Sequence, residues 1–518
     1  MKKRIISLLL TLIVLLSLVS CGAENGDMWQ EGVWDKDDAL APGETPDGIL
    51  EEDPTGDGHI DPTDPHYGKF MENKFVNTAE ENVSTFAADV DTASFAYFRK
   101  LVEQGYSFKE LKATAGGSIR TEEMINYFDY GYKNPADGEL FSTAMQIAPC
   151  PWNEEAKLLI LGLQAKKLET AAKNNLVFLI DVSGSMGSAD KLELLKKAFT
   201  HLTDKLGEDD VVSIVTYSGE ERVVLEGCSG AKKDMIINAV NTLTANGVTN
   251  GEAGLVKAYQ IAEKYYINDG NNRIIMASDG DLNVGISSTE ELEEFVEEKK
   301  KSGVFLSVLG FGTGNYKDAK METIADRGNG VYYYIDGETE AEKVFGEDIF
   351  STLYTVAKDV KLQLAFNTET VSAYRLVGYE NRLLDKEDFL DDTKDAGELG
   401  AGHSLTVCYE IVLTERAMDT DEWMTLGVRY KAPDGDKSEG REYAFGKAHY
   451  TETPSPAFRF ITAVAETSML LHDSNYTKDI SLEDVKATLD SLDLDGDFYK
   501  AQFASLVDTL IKNGNNIQ

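Results

Sequence analysis

Residues 176–187 read LVFLIDVSGSMG. The apolar run 176–180 predicts a strand buried on both faces of a parallel sheet. It ends in Asp181, Val182, Ser183, Gly184 and Ser185. A tight, glycine-containing turn at the strand's C-terminal end therefore presents one carboxylate and two hydroxyls. These are hard oxygen donors of the kind Mg²⁺ takes while keeping several waters. Open α/β sheets place their ligand sites at that end of the strands.

The surrounding chain, 174–356, alternates strand and helix patterns, which predicts a parallel sheet covered on both faces. Strands are expected at 175–181, 211–217, 222–226, 272–278, 303–310 and 331–335. Helices are expected at 190–206, 231–244, 252–266, 289–301, 317–327 and 338–358. In the first helix Leu192, Leu195, Phe199, Leu202 and Leu206 fall on one stripe at steps of three and four, the spacing of a core-facing side.

Two more stretches carry polar groups at comparable places. Thr249 lies in NGVTNG, just before the helix expected from 252. Asp279 ends the apolar strand RIIMASDG. D-x-S-x-S, a loop Thr, then S-D-G resembles the metal-ion-dependent adhesion site of von Willebrand factor type A (VWA) domains. The resemblance implies a Rossmann-like, doubly wound, mostly parallel α/β sheet. It also implies that Asp181, Ser183, Ser185, Thr249 and Asp279 hold a divalent cation, directly or through water. Mg²⁺ or Mn²⁺ is expected, because a small, hydroxyl-rich site suits Ca²⁺ poorly.

The N-terminus places Lys2, Lys3 and Arg4 before an apolar run and ends in Leu18-Val19-Ser20-Cys21. That describes a secretory signal (1–21) rather than a spanning helix. The ending resembles a bacterial lipoprotein box, which implies lipidation of Cys21 and an anchored, extracytoplasmic protein on the cell membrane, or on the outer membrane of a cell with two. Residues 22–68 hold 14 Asp and Glu against one Lys, with five of the 11 prolines. Such a segment cannot build a core and reads as an acidic tether. The formal charge of −40 argues against nucleic acid as a partner. Cys150, Cys228 and Cys408 remain after the signal. An odd count allows at most one disulfide, and isolated buried thiols are the expectation.

Residues 69–137 contain NVSTFAADVDTASFAYFR (82–99) and IRTEEMINYFDY (119–130). The first reads as strand, turn and a helix capped by Asp91 or Thr92. The second reads as a helix with Thr121 as N-cap. Both stretches, together with 381–403 and Phe458-Arg459-Phe460, resemble the YfbK-like group of bacterial VWA lipoproteins. Gly247-Val248-Thr249 departs from that group, which usually has Ser before the Thr. Flanking strands are expected at 139–170, 357–367, 371–377, 404–413 and 423–431, so that 138–173 pairs with a β-rich domain at 357–455. Residues 456–472 and 482–513 read as helices of a C-terminal region, 456–518.

Other signals are weaker. Gly310, Gly312 and Gly314 imitate a dinucleotide fingerprint, but the third glycine comes too early, so a loop at the metal-bearing edge is expected. Asp493, Asp495 and Asp497 imitate a calcium loop but read as a helix cap. Asp281 is a candidate for the metal's surroundings. The histidines form no ligand spacing, no nucleophile elbow is present, and His403 reads as structural. A non-enzymatic function follows: a protein partner's Asp or Glu completes the metal's coordination. The alternatives are an envelope scaffold with a vestigial metal site and an envelope hydrolase accessory.

Overall fold

The computed structural model describes residues 71–115, 117–168, 173–247, 251–280, 289–312, 318–433, 435–477 and 479–515. At its centre is the strand Asn174–Asp181, buried along its whole length. It pairs in parallel with Val211–Tyr217 on one side and Asn271–Ser278 on the other. Phe305–Phe311 and Tyr332–Ile335 extend the sheet in parallel beyond Asn271–Ser278. Glu221–Ser229 closes the opposite edge as the antiparallel strand among the six.

Side chains alternate across a strand, and here the alternation feeds two cores. Leu176, Phe178 and Ile180 join Leu192, Leu195, Phe199, Leu202 and Leu206 of the first helical stripe. Val177 and Leu179 face the other way, onto Leu255, Tyr259 and Ala262 of the helix Glu252–Lys264. Burying each such aliphatic chain stabilises by roughly 1.5–3 kcal/mol. Two-sided cover also explains why Tyr332, Tyr333 and Tyr334 are all buried: Tyr333 joins one core, its neighbours the other.

The α/β unit is flanked by two antiparallel sheets that share a third core. One runs Val76–Asn77, Val371–Val377, Ser404–Leu413, Lys157–Ala165, Phe141–Pro149. The other runs Leu383–Leu384, Val83–Ala87, Thr355–Phe366, Glu422–Lys431, Ser438–Gly446. Each sheet thus takes strands from before and after the central unit in the chain. Helices Ala93–Glu103, Thr121–Asn126, Pro456–Leu471, Leu482–Asp490 and Phe498–Asn515 surround Phe95, Phe128, Phe460 and Phe503 in a fourth core. Among the described residues no helix is long and apolar enough to cross a membrane. Cys150, Cys228 and Cys408 are buried free thiols.

Several expectations need correction. The helix expected at 338–358 stops early: Glu338–Glu342 leads into a π-helical turn at Lys343–Glu347, Ile349–Leu353 follows, and the chain is strand from Thr355. Thr355 already opposes Gly400, and Lys358 opposes Lys431, so strand pairing takes these residues from the helix. The helical stretch 482–513 is two helices, parted at Gly496, which has φ of +91°. Asp497 caps the second, its Oδ1 accepting from Lys500 N at 3.1 Å. Thr92 stands at the N-cap of the helix from Ala93, as expected, but makes no side-chain capping bond. Asp91 Oδ1 instead accepts from Tyr332 N at 3.2 Å, tying this segment to the central sheet. Thr121 lies inside its helix, where its hydroxyl meets that of Ser468 at 2.9 Å. The strand Ser438–Gly446, mostly exposed, escaped the pattern because one-sided burial is absent over most of its length.

Candidate metal centre

Asp181 ends the central strand and is fully buried. Its Oδ1 accepts from Ser183 N at 2.8 Å, and its Oδ2 from the Ser278 hydroxyl at 3.3 Å. The chain then turns through Gly184–Gly187, with Met186 as a buried plug. That turn brings the Ser183 and Ser185 hydroxyls to 2.9 Å of each other. Ser183 is buried and Ser185 exposed, so the pair runs from the sheet's interior to its surface. The segment 246–247 lies across the turn: Asn246 N donates to Val182 O at 2.7 Å and Gly184 N to Gly247 O at 3.1 Å. Thr249, two residues further on, lies outside the described residues, as does Asp281.

Asp279 follows Asn271–Ser278, the strand neighbouring Asn174–Asp181, and is 8% exposed. Burial pushes the Asp181 carboxyl up to about 6, and the neighbouring Asp279 adds to this against the pull of hydrogen bonds from Ser183. Two carboxylates facing one edge of a buried sheet favour a cation between them. One cation is already supplied by the chain: Lys191 Nζ donates to Asp279 Oδ2 at 2.9 Å and to Ser185 O at 3.0 Å. The donor set (two carboxylates and two hydroxyls, all hard oxygen) fits Mg²⁺ or Mn²⁺. The structure thus brings Asp181, Ser183, Ser185 and Asp279 to one edge of the sheet. Gly312 reaches the same edge, where a Cβ would lie 2.2 Å from Lys191 Cε.

A second acidic group was invisible in the sequence. Carboxylate oxygens of Asp89, Glu123 and Glu322 lie within 4.8 Å of one another, all buried. Guanidinium groups thread it: Arg382 bonds Asp89 at 2.8 Å, Glu322 at 2.9 Å and Asp326 at 2.6 Å. Arg120 bonds Glu123 and Glu322, each at 2.6 Å. Burial pushes Glu322 up to about 8 against the pull of Arg120 and Arg382. The network fastens the 82–130 stretches to the central unit and to the loop at 382. Its members lie up to 293 positions apart, so no local motif announces it.

His403 is half-buried, and loss of solvent around its ring holds it near 4. Its Nδ1 accepts from Gly400 N at 3.1 Å, a neutral ring pinning its own turn.

A family model of the von Willebrand factor type A domain matches residues 175–347. One described as von Willebrand factor matches 61–160, and one described as uncharacterized protein YfbK, C-terminal, matches 351–512. The chain is 38% identical over 478 residues to the uncharacterized protein YfbK of Escherichia coli K12, spanning 87% of this chain and 82% of that protein. It is 28% identical over 264 residues to human inter-alpha-trypsin inhibitor heavy chain H3, 46% of this chain and 29% of that protein. The structure of a von Willebrand factor type A protein from Catenulispora acidiphila aligns with a TM-score of 0.40 at 18% identity, over 75% of this chain and 89% of that one. With a VWA domain at its centre and this identity over most of its length, the chain belongs to the YfbK family of von Willebrand factor type A proteins.

Proposed function

We propose that this protein is an extracytoplasmic lipoprotein, anchored through Cys21, that binds a protein partner through a divalent-metal site. The observation that carries the reading is the convergence of Asp181, Ser183, Ser185 and Asp279 at the C-terminal edge of the parallel sheet. Asp181, fixed by Ser183 N and the Ser278 hydroxyl, anchors the site from below. Ser183 and Ser185 carry the oxygen set outward, and the site's proposed threonine ligand, Thr249, follows the segment whose Gly247 O accepts from Gly184 N. A bound Mg²⁺ or Mn²⁺ supplies an open coordination position for a partner's Asp or Glu. The exposed turn 184–189 and the segment leading to Thr249 form the contact face around it. An anchored metal–carboxylate contact gains strength where the interface excludes water. The protein acts as a binding module and not as a catalyst.

The test is calorimetric titration of Mg²⁺ and Mn²⁺ into the purified protein and its Asp181→Ala variant, paired with pull-down from envelope extracts with and without EDTA. One saturable site, lost in the variant together with EDTA-sensitive capture, is the expected result. Unchanged capture after both treatments overturns the reading and leaves an envelope scaffold. For the anchor, Cys21→Ser is expected to release the protein from membranes into the soluble extracytoplasmic fraction.

A further inference from the structure

Lys191 occupies a position that helix energetics alone disfavours. It is the residue immediately before the helix Leu192–Lys205 and makes no capping bond. A cation there faces the positive end of the helix dipole. Its ammonium is spent on the metal edge instead: 2.9 Å from Asp279 Oδ2 and 3.0 Å from Ser185 O. The pair is shielded, with the Lys191 side chain 18% and that of Asp279 3% exposed. The stem of Lys191 lies against Gly312, whose φ of +86° and missing Cβ leave it room. The adjacent Asp190 does not compete for this ammonium, because it accepts from the Ser188 hydroxyl at 2.6 Å and from Lys100 at 3.2 Å. One lysine thus joins the turn 184–187, the end of the strand before Asp279, and the loop at 312.

We infer that Lys191 is a tethered counter-cation that holds Asp279 and the Ser185 carbonyl until a divalent ion displaces it, and so sets the affinity of the site. The inference rests on the metal-site reading above. An ammonium and a dication cannot share one carboxylate edge without strong repulsion at these distances. Loading therefore requires the Lys191 contact to break, and the energy of that contact is subtracted from metal affinity. Removing the charge should loosen the metal-free protein while tightening metal binding. A lysine that merely buttressed the loops would weaken both.

The experiment measures Mg²⁺ and Mn²⁺ affinity by calorimetry, and Tm in EDTA and in Mg²⁺, for the full chain and for Lys191→Gln. Lys191→Met serves as the second variant, since it keeps the stem against Gly312 without the charge. The expected result in either variant is metal binding tighter by about fivefold or more, the order a partly buried ion pair supplies. Tm in EDTA falls by a few degrees, and the Tm gain on adding Mg²⁺ grows with the affinity. Affinity unchanged or weakened in both variants, with the parent protein binding normally, overturns the counter-cation role and leaves the metal site standing. Absence of binding in parent and variants overturns both.

Discussion

Glu466 is 4% exposed within the helix Pro456–Leu471. Burial pushes its carboxyl up to about 8 from an ordinary 4.5, with Asp484 adding to the rise. The folded protein therefore keeps a proton there between those values, whereas the unfolded chain has released it. Stability from this group is present in acid and falls as pH rises towards 8, by up to about 1.4 kcal/mol per unit. Glu466→Gln is expected to flatten the stability–pH curve between pH 5 and 8 and to raise Tm at pH 8, measured by thermal denaturation across buffers. An unaltered slope would show that the carboxyl is already ionised at neutral pH. At the same scale, Asp181, Ser183 and Ser185 were legible because the turn that gathers them spans five residues. The partner of Asp279 was not, because Lys191 lies 88 positions away and reads locally as an ordinary basic residue in the first turn of the helix expected at 190–206.

The helix Glu252–Lys264 shows how an element can override residue propensity. Gly254 sits in its first turn, where alanine ordinarily gains up to about 1 kcal/mol. Here a Cβ would stand 2.7 Å from Tyr217 Cβ and 3.2 Å from a Leu179 methyl. The missing side chain lets the helix lie close on two strands of the sheet. Gly254→Ala is expected to lower stability by about 1–3 kcal/mol, the usual cost of overpacking, measured by urea denaturation. A gain in stability would mean the helix shifts outward freely. Elements with two-sided or striped burial were legible along the chain: Val211–Tyr217 and Val371–Val377 fall where the pattern places them. The run 354–358 was misread because its residues are equally at home in a helix and a strand, and pairing with Gly400 and Lys431 decides between them.

Across the whole molecule, Arg99 links the N-terminal helix Ala93–Glu103 to the end of the α/β unit. Its guanidinium bonds Asp336 and, at 2.7 Å, Glu340, and donates to the Tyr127 hydroxyl at 2.9 Å. Both arginine and carboxylates are almost fully buried. Arg99→Ala strands two buried carboxylates and is expected to cost about 3–5 kcal/mol, read as a lower denaturation midpoint in urea. Arg99→Lys should recover little, since an ammonium cannot span both carboxylates as the planar fork does. A midpoint close to the parent's would mean the N-terminal helix docks on apolar contacts alone.

By itself the sequence determined the α/β character of 174–356, the buried central strand, the hydroxyl-bearing turn after it and the β-rich flanks. Each of these is written in side-chain periodicity or in residues a few positions apart, where local geometry leaves few choices. The tertiary structure alone decided the strand order within the flanking sheets: Val83–Ala87 lies beside Thr355–Phe366, and Ser404–Leu413 sits between Lys157–Ala165 and Val371–Val377. It also decided that Lys191 meets Asp279, and that Arg382 gathers carboxylates from the N-terminal segment and the central unit. These contacts join residues tens to hundreds of positions apart. Their energy comes from burial and charge pairing that exist only once the cores have closed.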